Sequence, residues 1–233
     1  MEPEQRAVQD SPGWFGKVPM LGDFAHRRLP VDVVTRCDEW LSSCIATSRR
    51  ELAHDWLDIY LAAPLWCFAW APRVADASWW FGVLMPSVDG VGRYFPLLIC
   101  RDAPTPPVRP EALSRLAAWY DAVGQCALSV LEPGATLQSF EARLMAVDGT
   151  PAAAADDPPP LTPGADGVRR ADPWPGSSSL PDAPAVALRT GLRQMEGHSI
   201  WWPCLQDPKG GRLAVVAGLP NPTQYTQMLQ GAL

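Results

Sequence analysis

Apolar positions fall into two kinds of run, and their spacing predicts the elements. Residues 79–85, WWFGVLM, are almost continuously apolar, as expected of a strand covered on both faces. Residues 94–100, YFPLLIC, form a second such run, rich in aromatic and branched side chains. The eight residues between them hold Pro86, Asp89, Gly90 and Gly92, which favour turns for different reasons. The pattern predicts a central β-hairpin whose tip presents Ser87, Asp89 and Arg93. Pro96 removes one ladder donor, so the second strand needs a bulge there or a bond that faces away from its neighbour.

The remaining elements follow from the same reading. Trp14-Phe15-Gly16-Lys17-Val18-Pro19 reads as a short strand, followed by a turn over 20–24. Residues 30–51 place Val33, Val34, Cys37, Trp40, Leu41, Cys44 and Ile45 on one helical stripe. Pro30 suits its first turn, and Asp32 and Arg49 suit its two dipole ends. A shorter helix is predicted over 53–62, stopped by Pro64, and a strand over 65–70. A second long helix is predicted over 111–131, with Leu113, Leu116, Tyr120, Leu128 and Leu131 among its inward residues. A short one follows over 136–146, with Leu137, Phe140, Leu144 and Met145 inward. Strands over 199–204 and 212–218 and a helix opened by Asn221-Pro222 close the chain.

Between them, residues 148–185 are dominated by Pro, Ala, Gly, Ser and Asp. Such a stretch buries too little apolar surface to offset its ordering entropy, and it reads as a mobile insertion. The expected organisation is a loose tail over 1–12, an α/β domain over 13–147, the insertion, and a segment over 186–233. That last segment is too small for its own core and completes the sheet of the first. The fold class is α/β, one domain with a mixed, largely antiparallel central sheet covered by helices.

Composition narrows the function. The formal net charge of −6 disfavours free nucleic acid, which needs a basic face. Arg27, Arg28, Arg49 and Arg50 read as solvated helix ends. No apolar run reaches the roughly 20 residues of a membrane span. The polar start of the chain has no secretory h-region, so a cytoplasmic location is expected. Six cysteines are widely spread, without CxxC spacing, and read as buried apolar residues of a reducing compartment rather than as disulfides or zinc ligands. Cys37 and Cys44, about 10 Å apart on one helix face, are too far apart to bond.

A search for chemistry comes back empty. The three histidines, His26, His54 and His198, have no nucleophile context, and there is no GxSxG. Gly90-Val91-Gly92 lacks the rest of a phosphate loop and precedes a strand rather than a helix. No catalytic residue, metal ligand or cofactor is expected, and the chain is not read as an enzyme.

The motifs taken together are informative. GWFGKVPMLGDFAHRRLP at 13–30, WLDIYLAAPLWCFAW at 56–70 and GVLMPSVDGVGRYFPLLI at 82–99 are followed by HSIWWPC and AGLPNP. In this order the series resembles the TagF family of type VI secretion-associated proteins. The likeness covers most of residues 13–100 and, more weakly, 198–232. It departs from the family pattern at Gly90, where a basic residue is expected. The resemblance implies a layered α/β sandwich and a cytoplasmic accessory protein that represses apparatus assembly post-translationally. The implied partner is the forkhead-associated scaffold protein. It implies no catalytic activity.

Two classes of function follow. In the first, a regulatory binding protein uses Lys17, Asp23, Arg27, Ser87, Asp89, Arg93 and Tyr94 on adjacent loops as its contact surface. In the second, the Asp23 and Arg93 loops form a small-ligand or enzymatic site. Asp23 and Arg93 are expected to converge in either case, because unpaired burial of charge is costly. Replacing residues 148–185 with a short Gly/Ser link should leave one cooperative unfolding transition, since long surface insertions cost little to close. Loss of that transition in calorimetry would place the segment inside the core.

Overall fold

The computed structural model describes residues 11–108, 110–147, 162–163, 169–170, 191–204 and 213–233. Seven strands form one sheet: β1 (Gly13–Gly16), β2 (Ala25–Arg27), β3 (Trp66–Trp70), β4 (Trp79–Met85), β5 (Leu97–Ala103), β8 (His198–Pro203) and β9 (Ala214–Ala217). Their spatial order is β2-β1-β5-β4-β3-β8-β9, and every pairing is antiparallel. A separate two-residue ribbon pairs β6 (Thr162–Pro163) with β7 (Arg169–Arg170). Otherwise the predicted insertion lies outside the described residues.

Helices α1 (Val31–Leu52), α2 (Trp56–Ala62) and α5 (Pro222–Leu229) cover one face of the sheet. Helices α3 (Pro110–Ser129) and α4 (Leu137–Met145) cover the other. The chain is therefore an α/β sandwich. The alternation within β4 sorts its side chains. Trp80 and Leu84 enter the α1 side, whereas Trp79, Phe81, Val83 and Met85 enter the α3 side. A strand buried on both faces has no polar position to spare, which is why 79–85 reads as an unbroken apolar run. Each fully buried large side chain contributes about 1.5–3 kcal/mol, and Trp14, Trp70, Trp201, Phe68 and Phe140 are all in that class.

Buried tryptophans also need partners for their indole N–H. Trp66 donates to the Met228 carbonyl at 3.1 Å and Trp40 to the Pro220 carbonyl at 2.7 Å, so both anchor the C-terminal segment. Trp56 donates to the Ser48 hydroxyl at 2.9 Å. Tyr120 on α3 donates to the Phe68 carbonyl at 2.6 Å. Capping boxes open α4, at Thr136 and Ser139, and α5, at Asn221 and Gln224.

Several expectations need correction. The second hairpin strand begins at Leu97, so Pro96 lies just outside it and no ladder donor is lost. The first strand ends at Gly16 and pairs with β2, which apolar periodicity alone does not reveal in three residues. Leu113, Leu131 and Met145 are 41%, 50% and 43% exposed; Leu113 lies in the first turn of α3, Leu131 lies past the end of that helix at Ser129, and Met145 is the last residue of α4. Cys67 of β3 and Cys204, the residue that follows the neighbouring strand β8, are bonded as a disulfide. Their separation of 137 residues hides the pair from any spacing rule. The other four cysteines are free and buried, as expected. Burial pushes the Cys37 and Cys44 thiols up to about 12, so both are inert at neutral pH.

The disulfide ties β8 to the sheet across a long chain separation. Its reduction should cost about 2–5 kcal/mol. Calorimetry with and without reductant, and on Cys204→Ser, checks this; an unchanged unfolding midpoint in both would show that the link adds nothing.

Candidate functional site

The loop leaving β1 and the loop between β4 and β5 meet at one corner of the sheet, and a buried carboxylate holds them together. Gly16 makes the approach possible. Its φ is +132°, and a Cβ there would collide with the Pro96 carbonyl, so only glycine fits. The chain then turns at Val18–Leu21 and places Lys17 inward, 5% exposed.

Asp89 receives four hydrogen bonds. Its Oδ2 accepts from Lys17 Nζ at 2.9 Å and from Arg93 Nε at 2.8 Å. Its Oδ1 accepts from the backbone N–H of Val91 at 3.1 Å and of Arg93 at 2.8 Å. Burial disfavours the charge on Asp89. The hydrogen bonds from Lys17, from the Arg93 N–H and guanidinium and from the Val91 N–H outweigh it and hold the carboxyl well below the usual carboxylate range.

The two loops are stitched further by backbone groups. Gly90 N–H donates to the Leu21 carbonyl at 2.7 Å, and Arg93 Nη2 donates to the Gly22 carbonyl. A Cβ on residue 90 would come within 3.0 Å of the Pro19 carbonyl, so the two loops pack closely against each other here. Arg93 also lies 3.6 Å from Asp23, the convergence expected from sequence. Behind the hairpin, the Tyr60 hydroxyl donates to the Ser87 carbonyl and accepts from the Ser87 N–H, both at 3.0 Å. Burial raises the Tyr60 hydroxyl further, so it stays protonated.

The predicted contact residues therefore divide. Ser87 and Asp89 are each 3% exposed and are not presented by the hairpin tip, and Lys17 is buried with them. The reason is that a turn carrying a multiply bonded carboxylate folds inward around it. Asp23 and Arg27 are exposed, and the Arg93 side chain is about half exposed. Tyr94 is half-buried, packing on Trp56 and Tyr60 at 6.1 and 5.8 Å between ring centroids. Among the described residues Arg27 bonds only to the neighbouring His26 carbonyl and joins neither aspartate.

Sequence reasoning missed Phe24 and Val91. Phe24 is 45% exposed, yet its ring packs on Phe15 at 6.1 Å and Phe95 at 4.7 Å, with Lys17 Nζ 4.7 Å from its centroid. Val91 is 68% exposed at the hairpin tip. An apolar residue inside GDF and another inside DGVG were the available signals. The corner thus combines exposed apolar groups with Asp23 and Arg93. The charges that a ligand would need are already bonded to each other, and no histidine joins them.

These motifs and this fold have known counterparts. The model of the TagF N-terminal domain, type VI secretion system-associated, matches residues 13–147. The chain belongs to the TagF N-terminal domain family. The crystal structure of PA0076 from Pseudomonas aeruginosa PAO1 is similar, with a TM-score of 0.76 and 30% sequence identity over 94% of each chain. Comparison with curated proteins finds no match. The TagF match takes in β1 to β5 and α1 to α4, including both loops of the corner. Strands β8 and β9 and helix α5 lie beyond it and complete the same sheet.

Two outcomes are expected. Tyr60→Phe should cost about 1–3 kcal/mol, because it strips the Ser87 N–H of its partner in a buried setting and leaves the Ser87 carbonyl with the Phe95 N–H alone. Chemical denaturation measures it, and a cost near zero would mean that the hairpin is held without that hydroxyl. The second concerns pH. A carboxyl depressed in the folded state contributes stability that is present above its unfolded value of about 4 and is lost as pH falls through the folded value. Asp89→Asn should remove that acid-limb dependence and lower the unfolding midpoint at neutral pH. Wild-type and variant curves that run parallel from pH 7 to pH 2 would overturn the assignment.

Proposed function

We propose that this chain is a regulatory protein of the type VI secretion system. It represses assembly of the apparatus post-translationally, from the cytoplasm, by binding the forkhead-associated scaffold protein. Membership of a type VI secretion-associated family supports the setting. No helix among the described residues is long and apolar enough to cross a membrane. The observation that carries the binding reading is the corner itself. Its ionic interior is internally satisfied, while Phe24 and Val91 stand outward on a rigid base beside Arg93 and Asp23. Aromatic and arginine groups on a preformed base dominate interface energetics. Repression then needs only mass action, with the assembly-incompetent partner bound better than the assembled one.

Deleting the gene should raise secretion of the tube protein, and overexpressing it should lower secretion. Phe24→Ala and Val91→Asp should each weaken capture of the purified scaffold tenfold or more, a loss of at least about 1.4 kcal/mol. Their unfolding midpoints should stay near that of the wild type. Unchanged secretion in both strains sinks the repressor reading. Unchanged capture by both variants moves the contact surface elsewhere.

A further inference from the structure

The bond between Cys67 and Cys204 joins the part of the chain that matches the TagF model to the part beyond it. Cys67 lies in β3, within residues 13–147, and Cys204 follows β8. Among the described residues β9 pairs in the sheet only with β8. The segment after β9 is held by the Trp40 indole at the Pro220 carbonyl and by the Trp66 indole at the Met228 carbonyl. Strands β8 and β9 and helix α5 thus form a C-terminal unit that meets the rest of the sheet along the β3–β8 seam. The disulfide sits at one end of that seam, where Trp66 pairs with Pro203.

The approach of the two sulfurs does not depend on the bond between them. Cys67 is in register with Trp202, and the Cys204 N–H donates to the Leu65 carbonyl at 2.8 Å. These backbone contacts hold the two Cα atoms 5.2 Å apart, within the range that a disulfide needs. A dithiol form therefore keeps its sulfurs within reach, and closing the bond requires no search of chain conformations. The other four cysteines do not compete for the exchange. They are unbonded and buried, and burial raises their thiols, so little thiolate forms on them. Cys204 is 9% exposed against 2% for Cys67, so an attacking thiolate meets Cys204 first.

We infer that the Cys67–Cys204 pair is a reversible redox latch on the C-terminal unit, closed as a disulfide and open as a dithiol. The inference rests on the cytoplasmic setting proposed above, because disulfides of a reducing compartment are usually transient or redox-sensing rather than structural. Opening proceeds by thiol–disulfide exchange with a small thiol such as glutathione. A glutathione thiolate attacks Cys204 Sγ, forms a mixed disulfide there and expels the Cys67 thiolate, which takes up a proton. A second glutathione thiolate attacks the sulfur of the first, forms glutathione disulfide and releases the Cys204 thiolate, which is protonated in turn. Two electrons and two protons pass to the protein, and closure runs the same steps backwards. In the closed form the seam is pinned at Cys204. In the open form only hydrogen bonds and side-chain packing hold it, so the C-terminal unit opens more often as one cooperative piece.

Full-length protein equilibrated in glutathione buffers, from excess reduced glutathione to excess glutathione disulfide, tests this. Alkylation of free thiols followed by mass spectrometry should find the dithiol at the reducing end and the disulfide at the oxidising end, with one curve reached from either side. Hydrogen exchange at the amides of β8 and β9 should be at least about tenfold faster in the dithiol form, while the amides that join β4 to β5 keep their rates. Cys204→Ser should exchange like the reduced wild type in every buffer. A bond that stays closed in excess reduced glutathione, or that fails to re-form, overturns reversibility. Equal exchange in the two forms overturns the latch, and so does a Cys204→Ser protein that still responds to the buffer. These readouts need neither the scaffold nor secretion, so they can fail while the repressor reading stands, and that reading can fail while they hold.

Discussion

Asp89 constrains this structure more than any other single side chain. A carboxylate buried without partners is prohibitively costly, so its four donors have to be in place together. Two of them come from its own turn and fix the conformation of 89–93. Lys17 comes from the far end of β1 and makes the turn and the β1 loop one unit. Arg93 faces both ways. Its Nε completes the carboxylate while its Nη2 caps the Gly22 carbonyl. Gly16 then follows, since a side chain there would collide with the Pro96 carbonyl, whereas one at Gly90 would press closely on the Pro19 carbonyl. Desolvation offsets much of the attraction in a buried ion pair; what Asp89 visibly does is hold the two loops in one geometry.

Much of the layered architecture was legible in the residues. Strands covered on both faces must be continuously apolar, and 79–85 satisfied that over its whole length. Helix α1 followed from a stripe with matched ends, and the last helix from Asn221-Pro222. The short edge strands were less visible. A three-residue strand such as β2 contains no full period, and its existence depends on β1 lying beside it. Leu131 was misplaced because α3 stops at Ser129, two residues short of it, and Met145 because periodicity marks the face of a helix but not where the neighbouring layer stops.

The corner was half legible for a related reason. Motif composition brought Lys17, Asp23, Asp89 and Arg93 together, and the structure does place them within one network. Burial was what the residues could not disclose. Ser87, Asp89 and Lys17 look like display residues in a turn-rich string, yet the turn folds around them. The hydroxyl of Ser87 has no hydrogen-bond partner among the described residues, so its backbone, held by Tyr60, matters more than its side chain. Cys67 and Cys204 show the same limit at longer range, because only the sheet order makes them neighbours.

The internal satisfaction of the corner also limits how anything could bind there. Arg93 has already committed Nε to Asp89 and Nη2 to Gly22, with Asp23 close by. A partner carboxylate would have to share a guanidinium already faced by two acids, at an exposed position where ion pairs are worth at most about 1 kcal/mol. On the binding reading proposed above, charge would tune encounter at this surface and affinity would come from apolar contact. Phe24 is suited to that role because its ring is fixed between Phe15, Phe95 and the Lys17 ammonium. Covering it would cost little ordering entropy, whereas a free side chain of the same size would have to give up its rotamers on binding. The buried pair and the exposed ring are thus two sides of one arrangement. The lysine that neutralises Asp89 inside also holds in place the aromatic face turned outward.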